Sequence, residues 1–210
     1  MSYEDIAERF KRETAEHKMT ILHDDGLYRH LRFRRGESDM YRFDLITVPG
    51  TLIFQGDGES YVFSRRPDMF EFFRDCRTTA DFGGPYGIHP QYWAEKITSD
   101  ASRVKRYDED LFRAAIVDET KQAIRDRVAP RGFGRAVHEF LTDDWIDLSF
   151  EHNAYGELDR FEYKGFRFPD LFDGDWYERS RDYHWWYLWA CHAIVAGIVS
   201  YDTARAAVAT

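Results

Sequence analysis

The chain has 210 residues, 43% of them hydrophobic and 32% charged, with a formal net charge of -9 and a pI near 5.4. That length can bury a substantial core as one large domain, taken as 1–210, and the composition excludes a disordered or fibrous chain. The acidic balance excludes broad electrostatic capture of DNA or RNA, which needs a cationic face.

Residues 3–18 set Ile6 and Phe10 among many charges, with Glu8 four residues before Arg12, which predicts a short, mostly exposed helix. Thr20 to His23 reads as a first strand, closed by the turn tripeptide Asp24-Asp25-Gly26. Leu31 and Phe33 then alternate with Arg32 and Arg34, and Tyr41, Phe43 and Leu45 with Arg42 and Asp44, which is the two-residue period of half-buried strands. Turn signals at Arg35–Asp39, Pro49-Gly50 and Gly56-Asp57-Gly58 divide this stretch into a four-stranded antiparallel meander near 28–35, 40–48, 51–55 and 60–64. Pro67 and Asp68 open a helix carrying Met69, Phe70, Phe72 and Phe73.

Gly83-Gly84-Pro85 and Pro90 make 78–90 a loop between a sheet-rich half (20–75) and a helix-rich half (90–205), an α+β organisation. Short and long helices are predicted over 92–97 and 107–128, with Pro130 and Gly132 stopping the second, and a further one over 133–142. The groups 146–150 and 161–163 alternate and read as a second hairpin or extended loop. From 175 or 176 to 202 the sequence reads as one helix, apolar nearly all round and therefore buried.

The acidic N-terminus lacks the cationic start of a secretion signal, and the apolar run 185–199 is too short to span a bilayer. Cys76 and Cys191 form no metal or disulfide pattern, and both are expected as buried, inert thiols. These features place the protein in a reducing cytoplasm, away from membranes.

Several groups carry chemistry as residue types. His23, Asp24 and Asp25, with His30 nearby, offer donors for a divalent metal, although Asp-Asp-Gly is more commonly a turn and no metal is assigned. Arg32, Arg34 and Arg42, with Arg29 and Arg35, are expected to form a basic stripe across one sheet face that suits a nucleotide or single-stranded nucleic acid beside Tyr28 or Tyr41. The competing account pairs these arginines with Glu37, Asp39 and Asp44 on a solvated face. Asp57 lies in a glycine-flanked segment that presents amides to a phosphate or simply turns a hairpin. Trp185, Trp186 and Trp189 belong to a ring-rich run that packs the core or reaches a partner. His184 and His192 read as packing histidines, and His138-Glu139 and Glu151-His152-Asn153 point apart as neighbours. No nucleophile elbow, phosphate loop, dinucleotide fingerprint or metalloprotease motif is present, so no catalytic residue or cofactor is assigned and a non-enzymatic role is favoured.

The blocks His30–Arg34, Tyr41–Gly50, Gly56-Asp57, Tyr61–Arg65 and Asp68–Phe73, with Tyr92–Lys96 and His192–Ile198, resemble a widespread group of bacteriophage and prophage proteins of unassigned activity. The resemblance implies a phage accessory protein in the host cytoplasm and carries over no catalytic residues. With an acidic surface and abundant aromatics, it leads us to expect a protein-binding inhibitor of a host antiviral defence protein or ribonucleoprotein complex, similar in role to anti-CRISPR proteins. The alternatives are a nucleotide- or nucleic-acid-binding enzyme or sponge using the arginine-lined sheet, and an accessory subunit of phage DNA metabolism.

Overall fold

The computed structural model describes residues 3–78, 87–169 and 174–208. The chain runs α1 (Tyr3–Thr14), β1 (Lys18–Asp25), β2 (Tyr28–Arg35), β3 (Ser38–Val48), β4 (Thr51–Gly56), β5 (Ser60–Ser64), α2 (Met69–Thr78) and α3 (Pro90–Ala94). After a short 3-10 turn at Ala101–Arg103 come β6 (Lys105–Tyr107), α4 (Glu109–Arg125), α5 (Phe133–Leu141), α6 (Glu151–Arg160), α7 (Gly174–Arg179), β7 (Arg181–Tyr183) and α8 (Trp185–Val208). Contacts divide this α+β chain into two compact units, one of residues 1–104 and 183–210 and one of residues 105–182. The sequence set its division in the loop 78–90, of which 79–86 lie outside the described residues.

In the first unit the expected meander is present, and the segment around Thr20–His23 extends it to a five-stranded antiparallel sheet in the order β1-β2-β3-β4-β5. Alternation sends Leu31, Phe33, Phe43, Leu45, Leu52, Phe54, Tyr61 and Phe63 into the core, all buried. There they meet α8, which is buried on most sides from Trp186 to Tyr201, as its near-uniform apolarity requires. At Gly197 the helix approaches the sheet so closely that a Cβ would stand 2.5 Å from Leu45 Cδ1 and 3.3 Å from the Phe33 ring. Helix α1 is less exposed than its charges imply, because Ile6, Ala7 and Phe10 form one buried stripe, with Phe10 edge-on to Trp189 at 5.1 Å.

His192 sits in this core against the Phe10 ring, 6.1 Å between centroids. Burial, with the positive Lys11 nearby, pushes its pKa down from 6.5 to about 4. The unfolded chain therefore takes up this proton first as pH falls, so stability held above pH 6.5 is lost between 6.5 and about 4. Urea titrations across that interval should show a loss of about 3 kcal/mol that is absent in His192→Gln. Parallel profiles for the two proteins would refute this assignment.

The second unit packs Phe112, Ile116, Phe133, Val137, Phe140, Leu148, Leu158, Phe168 and Trp176 around one core. Asp108 caps α4 by accepting from the Leu111 N–H at 3.0 Å, and Gly132, at φ +94, precedes α5 where the sequence placed a stop. The expected hairpin over 146–163 is corrected, since most of it is α6. Its buried residues Ala154 and Leu158 are four apart, a helical spacing that the flanking alternations at 146–150 and 161–163 obscured. The single helix expected from 175 or 176 to 202 is likewise corrected. It is interrupted by β7, whose backbone groups pair with β6, and α8 begins only at Trp185.

Candidate functional site

The arginine stripe expected across one sheet face is corrected: the period of two along β2 sets Arg29 on the opposite face from Arg32 and Arg34. Arg29 points to the core face, where its guanidinium makes a bidentate pair with Asp68, both contacts 2.9 Å. Arg32 stands directly opposite Asp44 on the other face and donates to it at 2.8–3.2 Å. Asp44 is 1% exposed and also meets His30 Nε2 at 2.8 Å. Burial alone raises its carboxyl, but hydrogen bonds from Arg32 and His30 outweigh that and hold it below the usual aspartate value. Arg34 pairs with Glu37 at 3.1 Å, Arg42 with Asp39 at 3.1 Å, and Arg35 with Glu16 at 3.7 Å. The guanidinium groups that a phosphate would need are thus already matched by carboxylates, and an incoming anion would have to displace them.

Asp57 lies at the exposed β4–β5 turn, where Oδ2 accepts from the Tyr41 N–H at 3.1 Å. Tyr41 has φ +56, a conformation that ordinarily costs a non-glycine residue of order 1–3 kcal/mol, and its ring is held against Trp186 and Trp189. Asp57 therefore supports a strained bulge in β3. Of the metal donors, His23 and Asp25 lie on the outer sheet face, whereas Asp24 turns inward and accepts from Tyr201 Oη at 2.9 Å and Arg205 at 3.2 Å. Among the described residues no group of three His, Cys, Asp or Glu side chains converges to hold a metal. Cys191 is fully buried and its thiol is pushed up by burial; the Cys76 side chain lies outside the described residues.

Of the two readings of the ring-rich run, burial sets Trp186 and Trp189 in the core, against the partner-anchor reading. Trp189 is fully enclosed and its indole N–H donates to Glu13 Oε2 at 2.9 Å. Trp186 is buried against Gly58, where a Cβ would meet its Nε1 at 1.9 Å, so that glycine is required by the close approach. Trp185 is partly buried beneath the Arg9 guanidinium, 3.9 Å from its ring. On a helix buried on most sides, Trp186 and Trp189 lie inside.

Among the described residues, the two most exposed rings of Phe, Tyr or Trp lie in the second unit, whereas Tyr28 of the first unit is about half exposed. Trp145 is 95% exposed and Phe150 68%, on the segment between α5 and α6. Its backbone is held: Asp143 Oδ1 accepts from the Trp145 N–H at 3.0 Å, and Tyr107 Oη donates to the Leu148 carbonyl at 2.7 Å beside the buried Leu148 side chain. Asp147 Oδ1 accepts from the Ser149 N–H at 2.9 Å and hydroxyl at 2.6 Å, and Oδ2 from Asn153 at 3.0 Å. Those hydrogen bonds, the Ser149 hydroxyl first, lower the Asp147 pKa and keep the group charged. Asp143, Asp144 and Asp147 are all exposed on the same segment as the two rings. Sequence reasoning passed over Trp145. Its signal was an indole among three aspartates in Asp143-Asp144-Trp145-Ile146-Asp147, on the polar side of the alternation Ile146, Leu148, Phe150.

No protein-family model, curated protein or solved structure matches this chain.

Proposed function

We propose that the protein acts by binding another protein, with Trp145 and Phe150 as apolar anchors and Asp143, Asp144 and Asp147 as a charged rim. The observation that carries this reading is an indole left 95% in water on a segment whose backbone is fixed by hydrogen bonds. A monomer gains nothing from such exposure, since burying a large apolar side chain is worth about 1.5–3 kcal/mol. A preformed segment also loses little freedom on docking, which is what an anchor residue needs. The complementary surface is an apolar cleft with a basic border, attracted by the chain's net charge of -9. With the resemblance to phage proteins, this makes a host antiviral defence complex the partner to test first, and inhibition of the anti-CRISPR kind the proposed consequence. The arginine-lined sheet is the less favoured route, because its guanidinium groups are occupied by carboxylates.

The test is affinity capture from infected-host lysate with wild-type and Trp145→Ala baits in parallel, followed by a measured affinity for the captured protein. The variant is expected to bind about 30-fold more weakly, the loss of an anchor worth about 2 kcal/mol, at unchanged melting temperature. Equal capture and equal affinity for both baits would remove Trp145 from the interface and this reading with it. Recovery of phage replication proteins instead of defence proteins would turn the role to DNA metabolism while keeping the surface.

A further inference from the structure

The sheet of the first unit closes one of its edges with its own chain. Along β5, the Ser64 N–H donates to the Lys96 carbonyl at 2.9 Å, the Thr98 N–H to the Val62 carbonyl at 2.8 Å, and the Val62 N–H to Ser99 Oγ at 3.2 Å. Residues 96–99 thus take up backbone groups that β5 would present to water. Strand β1 forms the other edge and is paired only with β2 among the described residues. Its Thr20, Ile21, Leu22 and His23 are exposed in succession, Ile21 at 41% and Leu22 at 47%. A long edge with apolar side chains is a template for another strand.

We infer that β1 pairs antiparallel with β1 of a second copy of this chain, joining the two sheets across a two-fold axis. The faces and charges of the strand select the register. Between Ile21 and His23 the pairing with β2 shifts, which reverses the alternation. Lys18 and Thr20 before the shift, opposite Arg34 and Arg32, therefore share the outer face with His23 and Asp25 after it, opposite His30 and Tyr28. Setting Ile21 opposite Leu22 of the second copy brings Thr20 opposite His23 and Lys18 opposite Asp25. The Thr20–His23 and Lys18–Asp25 pairs then each lie on the outer face, and symmetry makes each contact twice. Lys18 stands directly opposite Arg34 within its own sheet, a like-charge neighbour, and among the described residues neither Lys18 nor Asp25 has an ion pair. The second copy supplies the missing counter-charge on both sides, and Ile21 and Leu22 cover one another at the axis.

This inference rests on residues other than those of the Trp145 surface. Sedimentation velocity of the full chain over a concentration series at low salt is expected to move from a 25.0 kDa species to twice that mass. Leu22→Lys, which brings charge to the axis, should raise the dimer dissociation constant by about tenfold or more. Lys18→Asp and Asp25→Lys should each weaken the dimer, and the two together should restore it, which a merely structural effect of either change would not do. Trp145→Ala should leave the constant unaltered, so failure here and failure of the partner surface are separable. A monomer at every concentration, a dimer indifferent to Leu22→Lys, or a charge-swapped double variant no tighter than its singles would each overturn the inference.

Discussion

Trp189→Ala is expected to lower the free energy of unfolding by about 3–5 kcal/mol, the cost of removing a fully buried aromatic ring and leaving a cavity. Trp189 lies at the meeting point of the sheet and two helices, touching Phe10 from α1, Phe43 and Phe54 from the sheet, and Trp186 on its own helix. Its removal also deprives Glu13, a carboxylate with a 10% exposed side chain, of an indole donor and leaves its ion pair with Arg9. Against a total stability of about 5–15 kcal/mol for a globular domain, that is a large fraction. Trp145→Ala, a change of the same chemistry on an exposed ring, should stay within about 0.5 kcal/mol of wild type. Urea denaturation of both variants measures the contrast. A Trp189→Ala protein within about 1 kcal/mol of wild type would mean that the ring is not packed as described.

Arg29→Met should cost about 3–5 kcal/mol, because it leaves the largely buried Asp68 carboxylate without its cation. The side chains of Arg29 and Asp68 are only 9% and 14% exposed, and Arg29 lies over the Phe70 ring at 4.7 Å. Asp68 Oδ1 also accepts from the Phe70 N–H at 2.8 Å, so one carboxylate joins β2 to the first turn of α2. Burial by itself raises the Asp68 carboxyl, but the hydrogen bonds from Arg29 and from the Phe70 N–H prevail and its pKa is lowered. The stability it contributes is therefore present above the unfolded-chain value near 4 and is lost as pH falls through the lower folded-state value. The gap between wild type and Arg29→Met should accordingly narrow in acid. Arg29→Lys should recover only part of the loss, since an ammonium cannot reproduce the two parallel contacts. A gap that stays constant from pH 7 down into acid would assign the effect to lost packing instead of the ion pair.

How far the candidate site was legible depended on the range of the forces involved. The pairing of Arg34 with Glu37 and of Arg32 and Arg42 with nearby aspartates was readable, because cross-strand neighbours follow from a period of two and short turns. The same period separates Arg29 from Arg32 and Arg34, although the stripe reading set them on one face. The partner of Arg29, Asp68, 39 residues away, was not readable. The rings of α8 gave a density of aromatic side chains, but density carries no information about which elements cover them. Trp145 became visible only when its neighbours were placed and none lay over it.

Strand alternation, turn residues and helical spacing are local, and from them the amino-acid order alone determined the antiparallel meander, its tips at Pro49-Gly50 and Gly56-Asp57-Gly58, and helices α2, α4 and α5. Only the tertiary structure decided that the chain forms two units, that 151–160 is helical, and that α8 starts at Trp185 after β7 interrupts the apolar run. It also decided which tryptophan meets water. The reason is that burial and ion pairing depend on side chains brought together from distant parts of the chain, and those meetings leave no period in the sequence.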